Sequence, residues 1–248
     1  MINAKSYFFT SCSVVLLFPL LTVINRPSQE EPAQSGRFMT FKELLRERHV
    51  ELTTPSLVEA LQNPDPHIRY LAALTLAEDK SIDAVPSILD ALKSEKNPEA
   101  RVNIAFALAQ FGEEKGFVAL RSICRDRDVP VYLRIYATKY TLDLDDKTCL
   151  SAALDVLQSK DGVGVRVLAL SQLSRFRHAS ENDSQRIVSA TLKALADPAP
   201  EIRIAATDTL SSLQSARAIP ALENALAKER DDTVRSHIET TLELLRDK

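Results

Sequence analysis

The histidines are the first side chains to consider for metal binding or acid–base catalysis. Four are present, widely separated along the chain: His49, His67, His178 and His237. None belongs to a His-x-x-x-His or His-Glu pair, spacings that place metal ligands or a ligand and a base together on a helix. The sequence also lacks Cys-x-x-Cys, a phosphate-binding glycine loop and Gly-x-Ser-x-Gly. We therefore expect no metal, no cofactor and no catalytic residues, and predict that the protein is not an enzyme.

An acidic cluster, Asp143-Leu144-Asp145-Asp146, is the other group with cation-binding side chains. It lacks the glycine and the further oxygen ligands of a calcium-binding loop. Because clustered charges are ordinarily exposed to solvent, we interpret these residues as a solvated turn that ends a helix.

A repeat centred on an arginine runs through most of the chain. Its six copies contain Arg69, Arg101, Arg134, Arg166, Arg203 and Arg235. Subtracting successive residue numbers gives steps of 32, 33, 32, 37 and 32, a period typical of solenoids. Mostly apolar residues occupy positions −1, +3 and +7 from each arginine, and these positions lie along one stripe of a helix. Each copy is therefore predicted to contain a helix with one buried face.

A second apolar segment precedes each arginine, as in residues 57–61 and 88–92. Pro55, Pro86 and Pro220 lie at the start of three such segments, where a missing N–H is harmless to a helix. The turns between the two segments contain Asp, Asn, Pro or Gly, which cap or break helices. Each unit is therefore predicted to be a helix, a turn and a second helix.

This combination of a proline-headed helix, an Asp or Asn turn and Val/Ile-Arg-x-x-Ala resembles the HEAT repeat, particularly the short bacterial class first named for phycobilin lyases. The resemblance covers roughly residues 53–248 and implies an all-α fold, an α-solenoid of about six helix-turn-helix repeats. It also implies a ladder of hydrogen bonds between the turn aspartates and the arginines of successive repeats. The residues assigned to this structural ladder are Asp65, Arg69, Arg101, Arg134, Arg166, Arg203, Asp231 and Arg235. Copies three and four depart from the pattern, because Asp128 and Asp161 lie further ahead of their arginines.

The cysteines raise the question of a disulfide. Cys12 lies in the apolar N-terminal segment, which leaves Cys124 and Cys149. With the first helices of their repeats aligned in register, these positions differ by about nine helical residues, an axial offset of about 13 Å. That offset exceeds the reach of a disulfide, so we predict two buried free thiols.

The N-terminus differs in composition from the repeats. Residues 6–25 contain no charged side chain and lie between Lys5 and Arg26. A short basic start followed by an apolar run is typical of a secretory signal peptide, and twenty residues also suffice to span a bilayer. We predict that residues 1–25 are a signal peptide or a signal-anchor helix. The protein is then exported, either membrane-anchored and facing the periplasm or the extracellular side, or secreted after cleavage.

The remaining boundaries follow from composition. Residues 26–37 are rich in Pro, Ser and Gln and predict a flexible linker. Residues 38–52 predict an N-terminal capping helix, since Thr40 and Glu43 have the spacing of a capping box. Residues 53–248 are the repeat solenoid, whose terminal hydrophobic face such a helix covers.

The predicted binding surface lies on the second helices, opposite their buried stripe. Positions +1, +2 and +5 from the arginine are largely apolar or aromatic in copies one to three and more polar in copies five and six. The predicted partner-binding residues are Tyr70, Leu71, Leu74, Phe106, Ile135, Tyr136 and Lys139. The alternative is that these side chains pack between neighbouring helices or beneath the cap. An insertion at residues 175–184 accounts for the long step and either binds an acidic partner or forms a solvated loop.

The function predicted from these features is a non-catalytic scaffold that binds a protein or peptide on its concave face. A net charge of −3 and the absence of tryptophan argue against nucleic acid as a partner. The N-terminal segment is expected to contact a membrane. Two alternatives stay open, an enzyme or enzyme accessory of the lyase-like HEAT class and a structural spacer in an envelope complex, because a resemblance at the level of fold does not decide function.

Overall fold

The computed structural model describes residues 39–176 and 179–247. Within these ranges the chain forms thirteen α-helices and no strand. The helices are α1 (Phe41–Glu47), α2 (Thr54–Ala60), α3 (Pro66–Glu78), α4 (Val85–Ser94), α5 (Pro98–Gln110), α6 (Glu114–Arg125), α7 (Val131–Asp143), α8 (Leu150–Leu157), α9 (Val163–Leu173), α10 (Glu181–Ala194), α11 (Pro200–Ser212), α12 (Ile219–Lys228) and α13 (Asp232–Arg246). From α2 onward, consecutive helices pair into six repeats, and each second helix packs against the next. The predicted all-α solenoid is confirmed.

The predicted signal or anchor segment, residues 1–25, and the predicted linker, residues 26–37, lie outside the described residues. Among the helices that are described, none combines the length and the apolar character needed to cross a membrane. The first described helix, α1, has the capping box expected from Thr40 and Glu43. It packs against α3, and its Leu45 is fully buried in the core of the first repeats.

Side-chain caps fix where several second helices begin. The Asp65 side chain accepts a hydrogen bond from the His67 N–H, and Asn97 accepts one from the Ala100 N–H. Asp231 accepts from the N–H groups of Thr233 and Val234. These contacts satisfy backbone donors that have no partner inside the helix. The turn aspartates Asp65 and Asp231 therefore act as N-caps of their own helices.

Four of the six second helices are followed by a residue in the left-handed conformation. Lys80, Gly112, Asp145 and Gln214 have φ values of 54°, 80°, 59° and 54° and follow α3, α5, α7 and α11. The next N–H in each case bonds back into the helix, as Ser81 N does to Leu76 O at 3.0 Å. This cap satisfies a terminal carbonyl and turns the chain into the next repeat.

The core lies between the first and second helices, as the stripe at −1, +3 and +7 predicts. Residues at +7 are fully buried at Leu76, Leu108, Leu173 and Leu210. Gly116 allows α6 to approach α5 closely, because a Cβ there would lie 2.5 Å from Ala109 N. Packing in the second and third repeats therefore depends on this glycine.

The prediction of two free thiols is wrong. Cys124 and Cys149 form a disulfide, with their Cα atoms 6.0 Å apart. The prediction assumed that two first helices of equal length lie in register, but α8 is shorter than α6 and begins only at Leu150. Cys149 therefore precedes α8 and lies beside the C-terminal end of α6. Asp146 reaches the same helix, accepting a hydrogen bond from Arg121 Nε at 2.7 Å.

Candidate protein-binding surface

The second-helix face is the side of α3, α5, α7, α9, α11 and α13 that carries positions +1, +2 and +5 from each arginine. Four predicted partner-binding residues are half-buried on this face: Tyr70, Phe106, Tyr136 and Lys139. Partial exposure leaves each of these side chains some surface that a partner can contact. They lie on α3, α5 and α7, three helices that pack side by side.

Three other predicted binding residues belong to the core instead. Leu71, Leu74 and Ile135 expose only 2%, 3% and 1% of their surface. The two leucines belong to the buried cluster that includes Leu45 of α1, which packs on α3. Ile135 belongs to the core cluster of the later repeats together with Leu150. A partner cannot reach these side chains, because neighbouring helices already cover them.

Aromatic rings join across the helices of this face. Phe106 on α5 stacks on Tyr140 of α7, with ring centroids 4.0 Å apart and planes 7° apart. Tyr132 and Tyr136 of α7 meet edge to face at 6.2 Å. We call Tyr70, Phe106, Tyr132, Tyr136 and Tyr140 the aromatic cluster. Stacked and edge-to-face pairs stabilise one another, so the rings form a preorganised apolar surface.

Three tyrosines of the aromatic cluster, Tyr70, Tyr136 and Tyr140, are neutral at ordinary pH because their pKa values are raised. Burial, with a smaller contribution from the nearby Glu99 carboxylate, raises the pKa of Tyr70 to about 12. Burial and Glu99 also raise the pKa of Tyr136. For Tyr140, burial again raises the pKa, and its hydroxyl donates to Asn103 Oδ1 at 2.5 Å. The rings can therefore present hydroxyl groups and π faces, but no phenolate charge.

A charged group borders the aromatic cluster at the C-terminal end of α7. Lys139 Nζ lies 2.6 Å from Asp143 Oδ2, and Arg175 Nη2 lies 2.5 Å from Asp143 Oδ1. The same lysine lies over the Tyr140 ring, 5.3 Å from its centroid. Two cations thus share one carboxylate, so Asp143 is fully paired.

Sequence reasoning missed three residues of this surface. Tyr132 and Glu99 stand at −2 from their arginines, and Tyr140 stands at +6, outside the positions used for the prediction. Tyr132 is 43% exposed, the most open ring of the cluster. Including position −2 of each repeat in the prediction would have identified both Glu99 and Tyr132. No position in the repeat marks Tyr140 as part of this surface, because it belongs there only through its stacking on Phe106 of the neighbouring helix.

The C-terminal half of the second-helix face is more polar, although Val167 and Leu168 of α9 are half-buried there. Ser171, Asp208, Ser236 and Thr240 are exposed there, and Ile204 is half-buried. Asp208 pairs with His237 Nδ1 at 3.0 Å. The aromatic cluster therefore has no counterpart on the described part of α9, α11 and α13.

The arginines assigned to the ladder bind different kinds of partner, carboxylates in some repeats and backbone carbonyls in others. Arg69 binds Glu95 of the next repeat through two hydrogen bonds of 2.7 Å and also donates to Asn63 O. Arg203 binds Glu229 in the same way, at 2.7 and 2.8 Å. Burial raises the pKa of Glu95, but hydrogen bonds from Arg69 and the Asn97 N–H outweigh burial and leave it below its ordinary value. The hydrogen bonds from Arg203 chiefly lower the pKa of Glu229 to about 2.

The other ladder arginines bind mainly backbone carbonyls. Arg101 donates to Leu92 O and Arg134 to Cys124 O, each at 3.1 Å. Arg166 donates to Leu157 O and also pairs with Asp197. Arg235, in the last repeat, donates to Leu226 O. Glu95, Glu229 and Asp197 come from the ends of first helices or from turns of the next repeat, and Arg235 also lies 3.7 Å from Glu239 of its own helix. None of these carboxylate partners is Asp65 or Asp231.

The insertion, residues 175–184, includes the first turn of α10 and is anchored by Phe176, which is 1% exposed. Arg177 and His178 lie outside the described residues. A groove of about 780 Å³ runs between α10 and the turn before α12. Within the described ranges, no group of His, Cys, Asp or Glu is arranged to hold a metal ion. Of the acidic cluster, Asp145 is exposed as predicted, whereas Asp143 and Asp146 pair with cations.

Residues 54–136 and 150–243 match the family model for HEAT repeats. The unmatched residues 137–149 contain Cys149 and the turn after α7. No curated protein sequence matches the chain significantly. A designed armadillo repeat protein solved in complex with the peptide (KR)4 is similar in structure, with 17% identity and a TM-score of 0.55. The match covers 77% of this chain and 99% of the designed one.

Two enzymes of this architecture are also among the similar structures. Human deoxyhypusine hydroxylase has 18% identity and a TM-score of 0.43, over 79% of this chain and 74% of the enzyme. The CpcE and CpcF complex of phycocyanin lyase from Nostoc sp. PCC7120 has 20% identity and a TM-score of 0.38, over 88% and 100%. The prediction that the protein is not an enzyme is therefore wrong as an inference from this fold. At these identities the likeness shows the fold alone and assigns no reaction.

Proposed function

Because this chain belongs to the HEAT-repeat family, we propose that it binds a protein or peptide partner through the aromatic cluster on its second-helix face. Solenoids commonly bind along the surface formed by one row of their helices. The observation that carries the proposal is the grouping of partly exposed tyrosines on α3 and α7, beside Phe106 of α5.

Tyrosine suits such a surface for physical reasons. Its ring provides a large apolar contact area at a small cost in side-chain entropy, and its hydroxyl provides a hydrogen bond. The cluster is also preorganised, since Tyr132 packs on Tyr136 and Phe106 stacks on Tyr140 before any partner arrives. Preorganised rings lose little freedom on binding, which favours affinity.

The similar designed armadillo repeat protein supports the peptide-binding interpretation in a general way. That protein was solved with a peptide bound to it. A stacked array of helical repeats can therefore hold a peptide, and the aromatic cluster supplies this chain with a candidate place for one.

We also propose that the repeats act outside the cytoplasm, tethered or exported through residues 1–25. The uncharged run of residues 6–25 supports export. The disulfide between Cys124 and Cys149 supports it independently, because structural disulfides are rare in reducing compartments. Protease added to intact cells or spheroplasts should degrade the repeats while a cytoplasmic marker survives. Protection of both proteins until lysis would contradict the proposal.

The binding proposal is tested by partner capture with the full-length protein. A variant carrying Tyr70→Ser, Tyr132→Ser and Tyr136→Ser should lose the partners that the wild type retains, because the aromatic contact surface is gone. Phe106 and Tyr140 are left in place, since their stack belongs to the packing between α5 and α7. Bound proteins are compared by quantitative mass spectrometry after crosslinking in the native cell.

The matched control changes exposed or half-buried apolar residues on the polar half of the same face, with Ile204→Ser and Leu244→Ser. Circular dichroism and thermal melting must show that both variants are folded. Loss of the same proteins from the control, or their retention by the tyrosine variant, would overturn the proposal and favour a structural spacer.

A further inference from the structure

Among the described residues, Glu99 has no cation partner for its carboxylate, and it lies on the same side of α5 as Phe106. It is half-buried in the first turn of α5, and its backbone carbonyl accepts a hydrogen bond from Asn103 Nδ2. Its carboxylate forms no ion pair or hydrogen bond with any residue in the described ranges. A carboxylate held partly away from water with no partner is a favourable position for an incoming cation.

Positions −2, +1 and +2 of the second helices lie on one helix face, so Glu99 of α5 shares that face with Tyr70 of α3 and Tyr136 of α7. After burial, Glu99 is the strongest influence that raises the pKa values of Tyr70 on α3 and of Tyr136 on α7. These rings flank α5 on its two sides. The carboxylate and the two rings therefore face the same stretch of surface, where one ligand can reach them.

The other charges nearby leave this position negative. Asp65 and Arg48 also act on Tyr70, with opposite signs, and Asp65 is paired with His67. Asp143, on the same face of α7, is already paired with Lys139 and Arg175. A ligand cation arriving at the cluster thus has Glu99 as its available carboxylate.

We propose that Glu99, Tyr70 and Tyr136 bind a basic side chain, arginine or lysine, from an extended segment of the partner. The cation lies against the tyrosine rings and pairs with the Glu99 carboxylate, which combines a cation–π contact with a charge-assisted hydrogen bond. Arginine fits better than lysine, because its flat guanidinium stacks on rings and forms two parallel hydrogen bonds with a carboxylate. This assignment rests on the proposed function and specifies the partner's chemistry at that same surface.

Glu201 provides an internal control for Glu99. Both stand at −2 from a ladder arginine, in the first turn of a second helix, where the helix dipole stabilises a carboxylate. The aromatic cluster surrounds only Glu99, and the face around Glu201 is the polar half. Neutralising either glutamate removes one charge from the first turn of a second helix, so a difference between them reports the surroundings of Glu99, which is half-buried on the aromatic half of the face, whereas Glu201 is exposed.

The test measures fluorescence anisotropy with the full-length protein and a labelled glycine-serine peptide that carries arginine at alternate positions. A second peptide has glutamine at those positions. The arginine peptide should bind the wild type about tenfold more tightly than the glutamine peptide, as expected for one charge-assisted contact. Glu99→Gln should remove that difference, whereas Glu201→Gln should leave it intact.

Equal weakening by Glu99→Gln and Glu201→Gln would overturn the assignment, because it would indicate unspecific attraction to an acidic protein. Failure of the wild type to distinguish the two peptides, or to bind either of them, would also overturn it. The proposed function is judged separately, by whether the tyrosine variant loses its captured partners. If the captured partners are lost from the tyrosine variant but bind Glu99→Gln normally, the proposed binding surface stands and only the cation site is refuted.

Discussion

The outer and the central repeats are joined by different interactions. Between repeats one and two, Arg69 binds Glu95 through both of its carboxylate oxygens, and Arg203 and Glu229 do the same between repeats five and six. Arg166 also pairs with Asp197 between repeats four and five. Between repeats two and three, by contrast, the one partner of the Arg101 side chain among the described residues is a backbone carbonyl. Arg134 lies 4.0 Å from the carboxylate of Asp155, which is about half exposed.

The central junctions use other means of holding neighbouring helices together. Between repeats two and three, Gly116 allows α6 to lie against the backbone of α5. Between repeats three and four, the disulfide joins the end of α6 to the residue before α8. The same arginine position therefore serves different purposes along the chain. A repeated sequence does not guarantee repeated energetics, because the partner of each arginine comes from another repeat.

The largest effect is expected from breaking an outer ion pair. Arg69→Ala leaves the Glu95 carboxylate, only 1% exposed, without its guanidinium. We expect a loss of about 3 to 5 kcal/mol in the free energy of unfolding, as is usual when one partner of a buried pair is removed. Urea denaturation followed by circular dichroism measures this loss.

Arg101→Ala is the matched control for that measurement, since it removes an arginine from the same repeat position with only a carbonyl as partner. Its expected cost is about 1 kcal/mol, the usual contribution of a single hydrogen bond. Similar losses for the two variants would show that the outer and central junctions do not differ as described.

A somewhat smaller effect is expected from removing the disulfide. Replacing both cysteines, Cys124→Ser with Cys149→Ser, should cost about 3 kcal/mol, because the cross-link restricts the unfolded chain over a loop of 25 residues. Dithiothreitol should destabilise the wild type by a comparable amount and leave the variant unaffected. Alkylation and peptide mass spectrometry check the bond directly, and free thiols at both positions in the oxidised, folded protein would contradict it.

The smallest of the three effects is acid sensitivity of the outer pairs. Glu229 has a pKa of about 2 in the folded protein and an ordinary value of 4.5. Its contribution to stability is therefore complete above pH 4.5 and is lost as the pH falls toward 2, because the unfolded chain takes up the proton first. Between pH 7 and pH 3 this contribution should fall by about 2 kcal/mol.

The measurement compares the wild type with Glu229→Gln at both pH values, using urea unfolding. The glutamine variant starts less stable but should lose less stability on acidification, since it has no carboxylate to protonate at this junction. Identical pH dependence in the two proteins would mean that the ion pair with Arg203 does not lower the pKa of Glu229.

The candidate binding surface shows what a local sequence pattern can and cannot predict about side-chain exposure. Helix positions +1, +2 and +5 correctly placed Tyr70, Phe106 and Tyr136 on one partly exposed face. The same positions also selected Leu71 and Leu74, which are buried in one core cluster with Leu45 of α1. Position in a helix decides which way a side chain points, but not whether another element covers it.

The sequence alone determined the repeat, its length and its helix pairs. These depend on interactions within a few residues: a stripe at −1, +3 and +7 that must be buried, and caps such as Asp65 and Asn97 that start a helix. Tertiary structure decided what depends on the register between helices of unequal length. The shortness of α8 brings Cys149 to Cys124, and the approach of α7 to α5 brings Tyr140 onto Phe106. Distances between repeats are set by packing over the whole array, and no local pattern in the sequence encodes them.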